Sequence, residues 1–269
     1  MAGAQNVTTG VVLAVDVGNT TTSLGLFEGG GHASDEPTCT WELSTPQRLT
    51  VDEVALRMRQ VMGEPPTGEV MGAILSCVVP ALSDVWERAL GRLGRCRPYV
   101  VGPGLRTGLP MRYRDPSEIG PDRIADAVAA RERHGTPVIA VDLGTTLNLE
   151  VVGRDGSFLG GLIAPGLAAG AQSLSQHAAR LPMIELAVPE AAIGRSTREA
   201  MLAGVVLGEV ARIDGLLDRV FAELGEDAPI VLTGEGATRV AKLVSHDVIV
   251  DATLALRGLH QLYLLNARR

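Results

Sequence analysis

Val12-Leu13-Ala14-Val15-Asp16-Val17-Gly18-Asn19-Thr20 decides the fold, because its pattern returns as Val138-Ile139-Ala140-Val141-Asp142-Leu143-Gly144-Thr145-Thr146, 126 residues later. Each copy is an apolar, partly β-branched run that delivers an aspartate to a strand end and then enters a glycine-containing turn. Extended character resumes after each turn, through Ser23 to Phe27 and through Leu149 to Val152. A repeat at this spacing points to a duplicated domain rather than a small solenoid unit. The expected fold is therefore α/β, two related halves with mixed sheets flanked by helices.

Outward from the first copy, Gly29-Gly30-Gly31 reads as a turn and Trp41 to Ser44 as a further strand. Val51 to Met62 has helical periodicity, Ala73 to Val79 is a buried strand stopped by Pro80, and Leu82 to Leu93 is a helix. Tyr99 to Val101 is a short strand, and Pro121 to Arg133 a helix joining the halves. In the second half, Gly160 to Gly166 runs from strand to turn, and Leu167 to Arg180 and Thr197 to Leu224 are helices. The longer of these carries an apolar stripe from Met201 through Val205, Val210, Ile213 and Leu217 to Phe221. Ile230 to Thr233 is a buried strand, and Asp251 to Asn266 a closing helix. This divides the chain into domains 11–133 and 134–269, with the closing helix able to pack back on the first.

Composition excludes several classes of function. Of 269 residues, 46% are hydrophobic and 20% charged, which suits a sizeable core. No apolar run reaches bilayer length, so no membrane partner is expected. Met1 to Gly10 lacks a basic region followed by an apolar one and reads as a short disordered leader, which implies a cytoplasmic location. Cys39, Cys77 and Cys96 form no CxxC and read as reduced thiols, and five scattered histidines give no zinc pattern. A net charge of −7 and 3% aromatic residues disfavour nucleic acid, so an anionic substrate needs a locally arranged positive site.

An aspartate at a strand end can hold hydrated Mg²⁺, directly or through water, while Gly18 lets the backbone approach phosphate. Asn19, Thr20 and the following hydroxyls can donate to phosphate oxygens. A strand follows the turn, so this is no Walker A loop. One Asp-x-Gly-x-Thr alone reads as a β-turn with a capping aspartate; two at matching strand ends favour phosphate binding. They resemble the phosphate loops of the actin-like ATPase and sugar-kinase superfamily, whose two ribonuclease-H-like domains clamp a nucleotide. Thr233-Gly234-Glu235-Gly236-Ala237 resembles that superfamily's adenosine loop.

The middle of the chain narrows the resemblance. Tyr113 followed by Gly120-Pro121-Asp122-Arg123 resembles the tyrosine plus Gly-x-Asp-Arg signature of type III pantothenate kinases. In order with it stand Ser76-Cys77-Val78-Val79-Pro80, Gly160 to Gly166, Leu181-Pro182, and Ile193-Gly194-Arg195-Ser196-Thr197. The resemblance spans about Val11 to Leu265. It implies ATP-dependent phosphorylation of pantothenate, the first step toward coenzyme A, by a homodimer using Mg²⁺ and a monovalent cation, K⁺ or NH₄⁺. Carried over by position, Asp16, Val17, Gly18, Asn19, Thr20, Thr21, Thr22 and Ser23 cradle the ATP phosphates, with Asp16 also toward Mg²⁺. Thr145 contacts ATP and Asp142 ligates the monovalent cation. Tyr113, Gly120, Pro121, Asp122, Arg123 and Thr197 bind pantothenate, with Asp122 the general base. Taken alone, Asp122-Arg123 reads as an ordinary helix start beside a solvated arginine.

The chain departs from the family pattern at Leu147, Asn148 and Glu150 after the second loop, and at Glu235 in the adenosine loop. Asp126, His177, Ser196 and Leu202-Ala203 depart as well. Lost hydroxyls would weaken phosphate contacts, and an inward Glu235 would repel phosphate. Two other readings stand beside the kinase: a weakly active or non-catalytic ligand-sensing relative, and a kinase for another small hydroxylated acid.

Overall fold

The structure is a computed structural model that describes residues 10–29, 35–63, 69–94, 96–177 and 184–267, without the side chains of 175–177. The expected leader, part of the Gly29-Gly30-Gly31 turn, Leu181-Pro182 and the end of the Leu167 to Arg180 helix lie outside the described residues. The described residues fall into two units. One is drawn from Met1–Gly108, Asp115–Ala129 and Thr253–Arg269, the other from Leu109–Arg114 and Ala130–Ala252. The last helix joins the first unit, and Leu109–Arg114 and Ala130–Ala252 group with the second.

In the first unit, β1 (Val11–Val17) and β2 (Thr21–Glu28) form a hairpin closed by the Gly18 turn, and β3 (Cys39–Ser44) pairs antiparallel with β2. After helix α1 (Val51–Met62), β4 (Val70–Cys77) lies parallel to β1. Helix α2 (Pro80–Gly94) and β5 (Tyr99–Val100) follow, giving the sheet order β3-β2-β1-β4-β5. Thr50 caps α1 in a capping box with Glu53, a start legible in the sequence Thr-x-x-Glu.

Strand β1 is buried on both faces. Val11, Leu13, Val15 and Val17 join the core beneath α1 and α2, with Val54, Met58, Leu82, Trp86 and Leu90. Because side chains alternate, Val12 and Ala14 take the other face, and Asp16 is the next residue on it. Gly25, Phe27 and Gly72 share this face by register. Phe27 stacks on His260 at 4.1 Å between ring centroids, and the absent Gly72 side chain leaves room for Tyr263.

Helix α3 (Pro121–His134) leads to the second unit, where the topology repeats. Strands β6 (Val138–Leu143) and β7 (Thr146–Val152) form the hairpin, and β8 (Phe158–Pro165) pairs antiparallel with β7. Helices α4 (Leu167–His177) and α5 (Thr197–Leu224) precede β9 (Ile230–Gly234), which is parallel to β6. Helix α6 (Ala237–Val240) and β10 (Val248–Val250) complete the order β10-β9-β6-β7-β8. Position by position this is the first sheet again. The three-residue β10 was too short to read as a strand from sequence.

The long helix α5 ends on Gly225 in the left-handed conformation. Its buried stripe is Met201, Ala203, Val206, Val210, Ile213 and Leu217, with Val206 rather than Val205 facing in. Glu209 is buried too, and pairs with Arg212, whose guanidinium also donates to the Pro165 carbonyl at 2.6 Å. Helix α7 (Leu254–Ala267) closes the chain and packs on β1, β2 and β4 of the first unit.

Candidate active site

The first unit assembles its site where β1 and β4 end. Asp16 is the last residue of β1 on the α7 face; in register it stands opposite Ser23 on β2 and Ser76 on β4. Burial pushes its carboxyl from 3.8 up to about 7; the neighbouring Ser76 hydroxyl offsets part of that, and the nearby Asp122 carboxylate adds to it. Ser76 is fully buried, yet neither its Oγ nor Asp16 Oδ1 has a well-formed hydrogen bond, so the two groups are adjacent without being satisfied. Gly18 donates to the Thr21 carbonyl at 2.9 Å, and a side chain on Gly18 would press on that same oxygen. Asn19 and Thr20 at the turn are exposed.

Asp122 lies in the first turn of α3, after Pro121, where free amides and the helix dipole favour a carboxylate. The Arg123 amide donates to its Oδ1 at 2.8 Å. Burial raises the pKa of Asp122, and the amide of Arg123 and then its guanidinium work against that rise. Gly120 has no side chain because Asp122 Oδ1 occupies the place where its Cβ would stand. Arg123 is 6% exposed, so it is not the solvated arginine the isolated motif suggested. Asp16, Ser76, Gly120, Asp122 and Arg123 thus all belong to one unit.

The second unit holds Tyr113, Asp142, Thr145 and Thr197. Asp142 ends β6 as Asp16 ends β1, and stands in register with Asn148 on β7 and Thr233 on β9. The loop is tightly enclosed: a side chain on Gly166 would strike the Gly144 carbonyl, and one on Gly234 would strike Asp142 Oδ1. A cavity of about 450 Å³ opens beside the expected adenosine loop, lined by Val188, Gly234, Gly236, Thr238, Arg239 and Lys242 among others. Tyr113 packs against Phe158 at 6.0 Å and lies beside Gly160. Thr197 is exposed at the start of α5, whose N-cap is Ser196 accepting from the Glu199 amide. Gly194 lies so close to the Ala200 backbone that no side chain would fit.

Register revises several readings of individual residues. Thr22 pairs with Val17, so its side chain faces the α1/α2 core; it is 1% exposed and its hydroxyl bonds Thr45 at 2.7 Å. It is therefore not on the face that carries Asp16. Leu147 faces the core of its unit, fully buried with Ile139, Leu149 and Ile213, so no hydroxyl is lost from the loop there. Asn148 and Glu150 take the Asp142 face, 6% and 1% exposed. Glu235 is exposed and outside the cavity lining. Ser196 in place of asparagine keeps a capping side chain of equal quality. Ser76, quoted for its motif without a role, is the residue that sequence reasoning passed over.

Residues 12–219 match the family described as type III pantothenate kinase. A protein of Thermomicrobium roseum named type III pantothenate kinase is 40% identical over 255 residues, 94% of this chain and 96% of that protein. One of Myxococcus xanthus with the same name is 41% identical over 256 residues, 94% of this chain and 98% of its own. Among solved structures, a Campylobacter jejuni protein described as a Baf family transcriptional activator matches with TM-score 0.61 at 18% identity, covering 96% of this chain and all (100%) of its own. A Listeria monocytogenes protein described as an N-acetylmannosamine kinase matches with TM-score 0.55 at 12% identity, covering 96% and 100%. At such identities these two show the shared fold, that of the actin-like ATPases and sugar kinases.

Proposed function

The chain belongs to the type III pantothenate kinase family, and we propose that it transfers the γ-phosphoryl group of ATP to the primary hydroxyl of pantothenate, the first step toward coenzyme A. The observation that carries this reading is the pair Asp16 and Asp122. One carboxylate ends the phosphate-loop strand and the other opens a helix, and the two lie within electrostatic reach in one unit.

The roles follow from the chemistry. Asp122 accepts the hydroxyl proton as the oxygen attacks phosphorus; a base with a raised pKa holds that proton better than an ordinary aspartate. Gly120, Pro121, Arg123, Tyr113 and Thr197 bind the acceptor. Backbone amides and the Asn19, Thr20, Thr21 and Ser23 side chains grip the phosphates, while Val17 and Thr22 secure the strands behind them.

The donor set fits Mg²⁺. Asp16 brings a buried, unpartnered carboxylate oxygen, and among the described residues no cluster of three or more metal-ligating side chains exists. A site of one or two carboxylates that shares its ion with phosphate oxygens is the usual arrangement for this ion, which neutralises charge on the transferring group. Asp142 ligates the monovalent cation and Thr145 contacts ATP. The cavity at Gly234 to Lys242 takes the adenosine. The working form is a homodimer acting in the cytoplasm, without nucleic acid or membrane as partner. Among the described residues, no helix is long and apolar enough to cross a membrane. No observation favours the ligand-sensing alternative.

The test is phosphate transfer to pantothenate by the purified protein with ATP, Mg²⁺ and K⁺, with gel filtration of the same sample. Product at 4′ and a dimeric elution volume are expected. Pantothenate binding without turnover would overturn the reading in favour of a sensor.

A further inference from the structure

We propose that Ser76 is a positioning residue for the catalytic cation: its hydroxyl fixes the orientation of the Asp16 carboxylate that carries the ion. The inference rests on the kinase reading for its cation and on geometry for the residue. Ser76 is the register partner of Asp16 across the parallel β1–β4 pair, so both side chains leave the same face of the sheet. It is fully buried, and neither its Oγ nor the adjacent Asp16 Oδ1 has a well-formed hydrogen bond. Two such buried groups are costly to leave unsatisfied and become satisfied together when the Ser76 hydroxyl donates to the Asp16 carboxyl, which fixes its orientation.

A second observation is independent of the first unit. The repeat places Thr233 beside Asp142 in the same register, on the parallel neighbour of the central strand, 5% exposed. Both hydroxyl residues are buried, and each is the parallel register partner of a strand-end aspartate. The shared feature of the two places is an aspartate at the end of the adjoining strand. A hydroxyl-bearing side chain beside the strand-end carboxylate thus recurs in both units.

The test uses Mn²⁺ as a spectroscopic substitute, bound to the full chain with a non-hydrolysable ATP analogue and followed by electron paramagnetic resonance. Ser76→Ala and Ser76→Cys are expected to weaken Mn²⁺ about tenfold or more, the size of one charge-assisted hydrogen bond. Ser76→Thr, which installs the residue of the second unit, is expected to stay near the parent. In turnover, the Mg²⁺ concentration for half-maximal rate rises in the same two variants while KM for pantothenate and the melting temperature hold. Parent-like Mn²⁺ affinity in Ser76→Ala and Ser76→Cys would overturn the proposal. So would a loss in Ser76→Thr equal to that in Ser76→Ala. Because the Mn²⁺ measurement needs no pantothenate, it reads Ser76 even if the acceptor proves to be another molecule.

Discussion

Gly120 and Asp122 share one space: the aspartate carboxylate lies where a side chain on the glycine would be. The glycine of the Gly-x-Asp-Arg signature is thus a constraint on where the Asp122 carboxylate sits. Gly120→Ala is expected to leave the fold standing, because the obstructing atom ends a movable side chain, while displacing the carboxylate by a fraction of an ångström to an ångström. A fall in kcat of roughly 10²-fold with little change in melting temperature is expected from steady-state kinetics and thermal unfolding.

Asp122→Asn removes the proposed proton acceptor and keeps the shape. We expect kcat to fall about 10²- to 10⁴-fold, with loss of the acidic limb of the pH–rate profile. Turnover undiminished in this variant would sink Asp122 as base.

Asp16 makes stability depend on pH in an unusual direction. Its carboxyl titrates at about 7 when folded against 3.8 as the ordinary value, so between them the folded chain keeps a proton that the unfolded chain has released. This stabilisation is complete below about pH 4 and lost as pH rises through about 7, a change of at most about 4 kcal/mol. Urea unfolding without nucleotide or Mg²⁺, between pH 5 and 8, is expected to show the decline, and Asp16→Asn to flatten it.

Gly258 on α7 meets the backbone of Ala125 on α3, where a methyl group would overlap the Ala125 carbonyl. Backbone cannot yield as a side-chain tip can. Gly258→Ala is expected to cost about 3 kcal/mol in chemical denaturation, and to lower kcat because the helix it displaces carries Asp122.

Leu147 offers a check on the second loop. If its departure from the family pattern had removed a phosphate contact, restoring a hydroxyl would improve ATP binding. Since Leu147 is core, Leu147→Thr is expected to cost about 2–4 kcal/mol and leave KM for ATP unimproved. Calorimetric melting and ATP titration of the two proteins decide it.

The sequence by itself determined the duplication, because a strand buried on both faces and a glycine turn leave a pattern strong enough to recognise twice at one spacing. It also placed Asp16 and Asp142 at matching strand ends through the repeat, and singled out Asp122 at a helix start through the family resemblance. Only the tertiary structure decided which side chains join them. Alternation makes a one-residue difference a change of face, so Thr22 and Leu147 turn into cores while Ser23 and Asn148 face the aspartates. Ser76 becomes a neighbour of Asp16 only when β4 aligns with β1, 60 residues on in the chain. The last helix joins the first unit because the α7 face of β1 needs apolar cover. Such pairings are set by burial summed over whole sheets, and no local stretch of sequence records them.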